Sequence, residues 1–379
     1  MSGLKAARRA RGWSQARLVH EIWQRRAIGG LKTATKASLT TYVSEWENNK
    51  RPIGEEYRRI LRSIFGLTDS ELFASPAEAH EALDVAYSEL AQRIDESKSI
   101  DLSMVGTLTE QTELFRSVDR QMGAASLGDP MRAHIATLEN ALAYAVLPSA
   151  RKPVAKALSS AATLAGWQAL DVGAVDRAWR DYELARRAAG EAQSPALIAH
   201  AMGEQAYVLV DAGKPELSFE LIGEAIAIAQ GKAPDRLLSW LYAAKSQFAA
   251  ILSRSADSHR ALELAEKALP AGLEMRDSEV PGVFLNGAHL TRWRGNVLAL
   301  LGDDGAVDAL NTALEGMDGT FTRAEGSLRI DLAQAYLAKG KLGDAEDQAR
   351  RARALASRTG SLRNRRRLDR LMLEISASG

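Results

Sequence analysis

Residues 38–52 read SLTTYVSEWENNKRP, and this stretch predicts a helix with two different faces. Val43 and Trp46 lie three residues apart, so we expect them on the buried face. The opposite face would carry small hydroxyl groups and one carboxylate, which suit the base edges in a DNA major groove. These exposed residues are Thr40, Thr41, Ser44 and Glu45.

The segment that follows this helix is basic and is expected to end the helix. Asn48-Asn49 suits the left-handed turn that ends a helix, and Pro52 cannot continue one. Lys50 and Arg51 are flanking cations that suit DNA phosphate. Many solvated helices carry similar residues, so the neighbouring sequence has to support the interpretation.

Composition limits the class of protein. The chain has 379 residues, enough for two or three domains, and it contains no cysteine. Disulfides, thiolate metal sites and cysteine nucleophiles are therefore excluded. No apolar run approaches the roughly 18 residues of a membrane span, and the N-terminus lacks the apolar core of a signal peptide. We expect a cytoplasmic protein without membrane contact.

Charge is distributed unevenly along the chain. Residues 1–75 contain 14 Lys and Arg against 7 Asp and Glu, whereas residues 76–379 contain 35 against 41. A basic head on an acidic body predicts that the head binds a polyanion such as DNA, in keeping with a nucleoid-associated protein. A random surface bias is the alternative.

The residues before position 38 predict two further helices. Residues 4–12 suit a helix with Arg8, Arg9 and Arg11 outward, and Ser14 suits the N-cap of a second helix that begins at Gln15. The order LxxxRxxRGWSQxxL, a turn and VSEWENNKRP resembles the Cro/C1-type (XRE) helix-turn-helix family. The resemblance implies base contacts by the exposed residues of 38–45 and a buried role for Trp46. It also implies phosphate binding by Gln15, with further phosphate contacts from Asn48, Lys50 and Arg51.

One segment departs from that family. Gln15 and Val43 are 28 residues apart, about twice the usual separation, and the surplus falls in residues 23–37. Either the second helix is extended or an extra loop follows it. The segment is basic and has no acidic residue, so it either lies along the DNA backbone or is an ordinary solvated insertion. Its cations are Arg25, Arg26, Lys32 and Lys36.

We predict an all-α chain in three parts: a helix-turn-helix domain at 1–75, connecting helices at 76–128, and helical repeats at 129–379. Residues 57–66 are expected to close the first core. Helices at 77–97 and 102–122 either pack on the C-terminal part, which we favour, or one of them forms a dimer seam.

The region from about residue 130 contains five similar units. Small residues recur at turn and helix positions, in steps of roughly 40 residues. They are Gly173, Ala178 and Ala185; Gly213, Ser218 and Ala225; Ala261, Ala265 and Ala268; Gly302, Ala306 and Ala313; and Gly340, Ala345 and Ala352. The pattern resembles the tetratricopeptide (TPR) repeat, whose consensus is about 34 residues, and predicts a helical solenoid.

A basic tail helix at 362–375 follows the last unit. We expect it to cap the last repeat with a solvated face; a second DNA-binding patch is the alternative. Its arginines are Arg363, Arg365, Arg366, Arg367 and Arg370.

Catalytic motifs are missing from the sequence: it has no HExxH, GxSxG, Walker loop or GxGxxG junction, so we expect no enzyme, no cofactor and no metal. The solenoid instead predicts a groove lined by the first helix of each repeat. There, His289 and Arg292 would hold a carboxylate, and Trp167, Trp240 and Trp293 would form an apolar floor. The alternative is that these residues only support packing. The predicted groove residues are His200, Glu204, Tyr207, His289, Arg292 and Asn296.

The two halves together resemble actinobacterial XRE-family regulators with a C-terminal TPR domain. The similarity is carried by GWQALDVG, AHAMGEQAYVLVDAG, AHLTRWRGN and the Arg-rich tail. It implies a transcriptional regulator that binds double-stranded DNA. Because one recognition helix reads too few base pairs for useful specificity, we expect a homodimer on a palindromic operator. A small molecule, peptide or protein partner in the groove would modulate that binding. The alternative is a TPR interaction adaptor or antitoxin-like protein with secondary DNA binding.

Overall fold

The computed structural model describes residues 3–28, 34–73, 76–98, 102–271 and 279–378. These ranges contain nineteen α-helices and no strand, which confirms the all-α prediction. Within them, no helix combines the length and the apolar character that a membrane crossing requires. The chain divides into two compact units, Met1–Asp95 and Glu96–Gly379, which are described separately.

The first unit is built from short helices around one apolar core. Its elements are α1 Gly3–Ala10, α2 Gln15–Ile28, α3 Lys36–Glu47, α4 Glu55–Phe65, α5 Asp69–Phe73 and, for most of its length, α6 Pro76–Lys98. Apolar side chains at helical spacing fill the core because each helix turns one stripe inward. The buried members include Leu18, Ile22, Leu39, Val43, Trp46, Leu61 and Phe65.

Local signals set the helix boundaries in this unit as the sequence predicts. Ser14 Oγ accepts a hydrogen bond from the Arg17 amide, 3.1 Å away, at the start of α2. Asn49 adopts the left-handed conformation after α3, with a φ of 53°. Thr68 and Glu71 form a capping box, in which the Thr68 amide donates to Glu71 Oε2 at 2.7 Å. Helix α2 is extended to Ile28, and residues 29–33, including Lys32, lie outside the described residues.

Helix α6 differs from its neighbours because its large side chains are exposed. Leu83, Tyr87 and Leu90 are 50%, 64% and 46% exposed. Its packing on the C-terminal part stays a prediction.

The second unit consists of α7 and α8 followed by helix pairs. The elements are α7 Leu102–Met122, α8 Gly128–Tyr144, α9 Pro148–Asp171, α10 Val175–Glu191, α11 Pro195–Asp211, α12 Pro215–Ala229, α13 Asp235–Ile251, α14 Ser255–Ala268, α15 Gly287–Leu301, α16 Ala306–Glu315, α17 Thr322–Ala338, α18 Leu342–Thr359 and α19 Leu362–Ser378. Each odd-numbered helix from α9 to α17 packs against the next helix and against the following odd-numbered helix. This is the arrangement of a helical solenoid.

The recurring small residues lie where the sequence predicts them. Gly173, Gly213, Gly302 and Gly340 follow the first helices of their pairs and have φ values between 71° and 78°. Ser253 takes the equivalent position in the third pair, with a φ of 57°. Most of the predicted small residues on the second helices are buried, although Ala268 is only half-buried. Close approach of the paired helices follows from these small side chains.

Long-range contacts bring the two ends of this solenoid together. Helix α17 packs on α7, and α19 packs on α9 as well as on its neighbour α18. Arg323 on α17 lies 2.7 Å from Asp119 of α7. Ser361 donates to Asp171 of α9 at 2.6 Å, and Arg363 on α19 lies 2.6 Å from Asp211 of α11. The concave side is therefore enclosed by α7 and α19.

Candidate functional site

The outward face of α3 carries the first candidate site. Thr40 and Thr41 are exposed near the N-terminal end of the helix, beside the exposed Lys36 and Ala37. Leu39, Val43 and Trp46 point into the core. The Thr40 hydroxyl donates to the Lys36 carbonyl at 3.1 Å, which leaves its lone pairs directed outward.

A buried polar network lies beneath α3, and the sequence interpretation missed it. Arg8, expected to point outward, is 8% exposed and binds both carboxylate oxygens of Glu47 at 2.5 and 3.0 Å. Gln15 donates to Glu47 Oε2 at 2.8 Å. Burial opposes the charge of Glu47, but the hydrogen bonds from Arg8 and Gln15 hold its pKa below the ordinary value. The network connects α1, α2 and α3, because a buried charge has to be paired.

The other predicted DNA-binding residues are partly engaged within the unit. Ser44 and Glu45 are half-buried, and Glu45 pairs with Arg51 at 3.4 Å. The Arg51 guanidinium lies 3.8 Å from the centre of the Tyr42 ring. The Asn48 amide donates to the Ser44 carbonyl at 2.8 Å. These side chains shape the end of α3 and have less freedom than Thr40 and Thr41.

The flanking cations are placed differently from one another. Lys50 is exposed after α3, and Arg25 is exposed on α2, where it donates to Ser63 at 3.0 Å. Arg26 lies on α2, but its side chain is outside the described part of the structure.

The second candidate site is a cavity of about 570 Å³ inside the second unit. Its walls come from the first helix of each pair, as the sequence predicts, and also from α7, α19 and residues 282–284. Five of the predicted groove residues line it: His200, Glu204, Tyr207, Arg292 and Asn296. Trp167, Trp240 and Trp293 line it as well.

His289 lies outside this lining. Its Nδ1 is 2.8 Å from Asn286 Oδ1 at the start of α15, and its ring lies against Phe321. Burial and the nearby Arg292 lower the pKa of His289 to about 4. The imidazole is therefore neutral near pH 7 and does not supply a second cation for a carboxylate.

Tyr207, Gln247 and Asn296 form a hydrogen-bonded chain along one wall. The Tyr207 hydroxyl donates to Gln247 Oε1 at 3.1 Å, and Gln247 Nε2 donates to Asn296 Oδ1 at 2.7 Å. Burial raises the pKa of Tyr207 well above its ordinary value, and Glu204 adds to this effect. These three side chains form an uncharged hydrogen-bonded network that fixes the aromatic wall.

Arginine dominates the charge of the cavity lining. Eight arginines and five acidic residues face it. The acidic residues are Asp119, Asp171, Glu204, Asp211 and Asp331, and the arginines are Arg116, Arg120, Arg292, Arg323, Arg363, Arg366, Arg367 and Arg370. Four of those on α19 were expected to form a solvated cap. They line the cavity, which the local sequence could not show, and Arg366 and Arg370 are also exposed.

Most of the inner arginines have a partner. Arg323 contacts Asp119 and lies 3.8 Å from Asp171, and Arg367 lies 2.5 Å from Asp331. Burial opposes the charge of Arg323, but Asp119 and Asp171 outweigh it and raise the pKa. These pairs hold the walls in place.

Arg292 is different because no carboxylate lies within ion-pair distance of it among the described residues. It is half-buried on α15. Burial, with Arg367 and Arg323 nearby, lowers its pKa from the ordinary value, and Asp331 and Tyr207 only partly compensate. Within the described ranges, the cavity thus contains an inner cation, Arg292, that has no counter-ion within ion-pair distance.

Residues 279–286 form one edge of the cavity. Val280, Val283 and Leu285 are buried in the main core of this unit, and Arg236 donates to the Leu285 carbonyl. A Cβ atom on Gly282 would lie 2.8 Å from the His200 ring. Only glycine fits here without displacing that imidazole, which is 4% exposed.

No group of histidine and acidic side chains suitable for a metal ion is present in the described ranges.

Comparisons with known proteins add little to the geometry. No family model matches the chain, and no curated protein matches it. Among solved structures, it is similar to the crystal structure of a variant of a putative kinesin light chain from Podosopora anserina, described as having nearly identical TPR-like repeats. The identity is 13% and the TM-score 0.35, over 53% of this chain and 97% of that one.

Proposed function

We propose that the protein is a DNA-binding transcriptional regulator, with α3 reading the major groove and the cavity of the second unit binding an effector. The observation that carries the proposal is the exposed N-terminal half of α3. Lys36, Ala37, Thr40 and Thr41 are exposed together, and none is acidic. The first residues of a recognition helix are those that reach base edges.

The supporting electrostatics come from the whole first unit. Residues 1–75 contain twice as many basic as acidic residues, and Glu47 is neutralised internally by Arg8. Arg9, Arg25, Lys36, Lys50 and Arg59 are exposed and have no ion pair in the described structure. Such cations contact phosphate and fix the helix in the groove.

The structure changes which residues we assign to base reading. Thr40 and Thr41, with Lys36 and Ala37, take this role in the proposal. Ser44, Glu45, Asn48 and Arg51 contribute mainly by shaping the end of α3, and Gln15 contributes by fixing Glu47. Lys50 and Arg25 remain phosphate contacts.

A dimer is part of the proposal, because one helix reads too few base pairs for useful specificity. Helix α6 offers a seam: Leu83, Tyr87, Leu90 and Ile94 follow one another at intervals of four, three and four residues. This is the spacing of a coiled-coil stripe. The exposure of the first three side chains agrees with a surface that a second copy covers.

The test is selection of genomic DNA fragments by the purified protein, compared with the Thr40→Ala/Thr41→Ala variant. Thr107→Ala/Thr137→Ala is the matched control, because these threonines are exposed on helices of the second unit and make the same backbone hydrogen bond. We expect wild type and control to enrich one palindromic site, with affinity falling steeply with salt. The α3 variant should lose the site, since each base contact contributes about 1–3 kcal/mol.

Three results would count against the proposal. One is that the wild type enriches no site, in which case the interaction-adaptor alternative is favoured and partner capture follows. Another is that the α3 variant retains the site. A site without two-fold symmetry would contradict the dimer.

A further inference from the structure

One arginine of the cavity lining, Arg292, differs from the arginines around it. Arg323, Arg363 and Arg367 each have an aspartate within 2.7 Å, whereas Arg292 has none in the described structure. Arg366 and Arg370, one turn apart on α19, also line the cavity and are exposed without an ion pair there. A half-buried guanidinium with no partner is unfavourable unless something else supplies the negative charge.

The walls around Arg292 are aromatic. Tyr207 is the centre of the cluster, with ring centroids 6.3 Å from Trp167, 5.0 Å from Phe248 and 6.5 Å from Trp293. Trp240 closes another part of the lining. Arg323 and Arg363 already lie over the Trp167 ring, 5.1 and 5.5 Å from its centre, and the remaining aromatic surface accepts a flat apolar body by edge-to-face contacts.

The size of the cavity favours one compact molecule. Its volume of about 570 Å³ lies within the range of about 300–1,000 Å³ that holds drug-sized ligands. Helices α7 and α19 narrow the concave side, which favours a compact molecule over an extended chain. Arg323 and Arg363 connect these helices to α17 and α11 across it.

We propose that the cavity binds a small aromatic carboxylate, with Arg292 holding the carboxylate and the tryptophans and Tyr207 holding the ring. The planar fork of the guanidinium matches the two oxygens of a carboxylate. This inference rests on the proposed function only in identifying the ligand with the effector.

The position of Glu204 gives the ligand an orientation. Glu204 lies 3.8 Å from His200 Nε2, and it has no arginine partner among the described residues. A carboxylate placed beside Glu204 would be repelled, whereas beside Arg292 it is attracted. The acid end therefore binds at α15 and the ring extends toward α9 and α13.

The experiment uses benzoate, salicylate, indole-3-acetate and 1-naphthylacetate, each paired with its neutral carboxamide. Binding to the full chain is measured by calorimetry for the wild type, Arg292→Gln and Arg294→Gln. Arg294 is the control because it is the exposed arginine of the same helix and pairs with Glu266 at 3.1 Å. Circular dichroism checks that all three proteins are folded.

We expect at least one acid to bind the wild type and Arg294→Gln more tightly than its amide. In Arg292→Gln, the affinity for that acid should fall between about tenfold and a hundredfold. Affinity for the amide should change less than about twofold, because it makes no charged contact with the guanidinium.

Failure of all four acids to bind the folded wild type would overturn the proposal. Equal binding of acid and amide would do the same, and so would retained acid binding by Arg292→Gln. The assay contains no DNA, so a negative result leaves the assignment of α3 unaffected, and loss of DNA binding would leave this cavity unaffected.

Discussion

Buried and half-buried arginines have opposite roles in the two units. In the first, Arg8 is turned inward, pairs with Glu47 and holds three consecutive helices together, so that the outer face of α3 is free of carboxylate near its start. In the second, arginines point into a cavity and connect helices far apart in sequence. One unit thus uses its ion pair to support a convex surface, and the other uses several ion pairs to border a concave one.

Among changes to these ion pairs, replacement of Arg323 should lower the unfolding free energy most. Arg323→Met leaves Asp119, which is 1% exposed, and Asp171 without their shared cation. We expect the unfolding free energy of the second unit to fall by about 3–5 kcal/mol, because buried carboxylates would be left unpaired. Thermal and urea unfolding measure the change. An unaltered midpoint would show that this contact does not hold α17 to α7.

Neutralising Glu47 is the matching change in the first unit. Glu47→Gln keeps the shape of the side chain but removes the charge that faces Arg8, so we expect a loss of about 1–3 kcal/mol. Hydrogen exchange of the backbone amides of α1 to α3, measured in the full chain, reports on the stability of this unit. Glu45→Gln serves as the control because Glu45 is only half-buried. If both variants behave alike, the buried network is not a major support of the helices.

Replacement of His289 should give a smaller change in unfolding free energy, and this change should depend on pH. Its folded pKa of about 4 lies below the unfolded value of about 6.5, so the unfolded chain binds more protons between these pH values. The contribution of the neutral imidazole to the unfolding free energy should therefore be complete above about pH 6.5 and be lost as the pH falls to about 4. Because the ring is only half-buried, we expect this contribution to change the unfolding free energy by about 1–2 kcal/mol.

The measurement is the difference in unfolding free energy between wild type and His289→Gln across pH 4–7. The subtraction is needed because Asp181, whose pKa burial raises to about 6, acts with the opposite sign in this range. A difference that does not change with pH would contradict the assignment.

Features that are local in sequence could be predicted well. Small residues such as Gly213 and Ser218 mark each turn and each close helix contact, so the helix pairs and the groove-lining helices follow from the sequence. Arg292 and Asn296 lie one turn apart on such a helix and do line the cavity. Ser14 and Thr68 likewise mark helix starts.

Contacts between distant segments could not be predicted in the same way. Ser361 and Arg363 bind helices about 150–190 residues earlier, and nothing near them in the sequence indicates a partner. Arg8 resembles the exposed Arg9 until Glu47 is brought beside it by folding. A buried arginine and a solvated one differ only in their tertiary neighbours.

The contacts of Arg323 and Arg363 also change how the second unit must come apart. In an open solenoid each repeat touches only its neighbours, so terminal repeats fray first and stability is a sum of local contributions. Here α7 contacts α17, and α19 contacts α9 and α11. These contacts close the stack of helices into a ring. A ring has no free end at which opening starts. Its repeats should therefore unfold together in a single cooperative step.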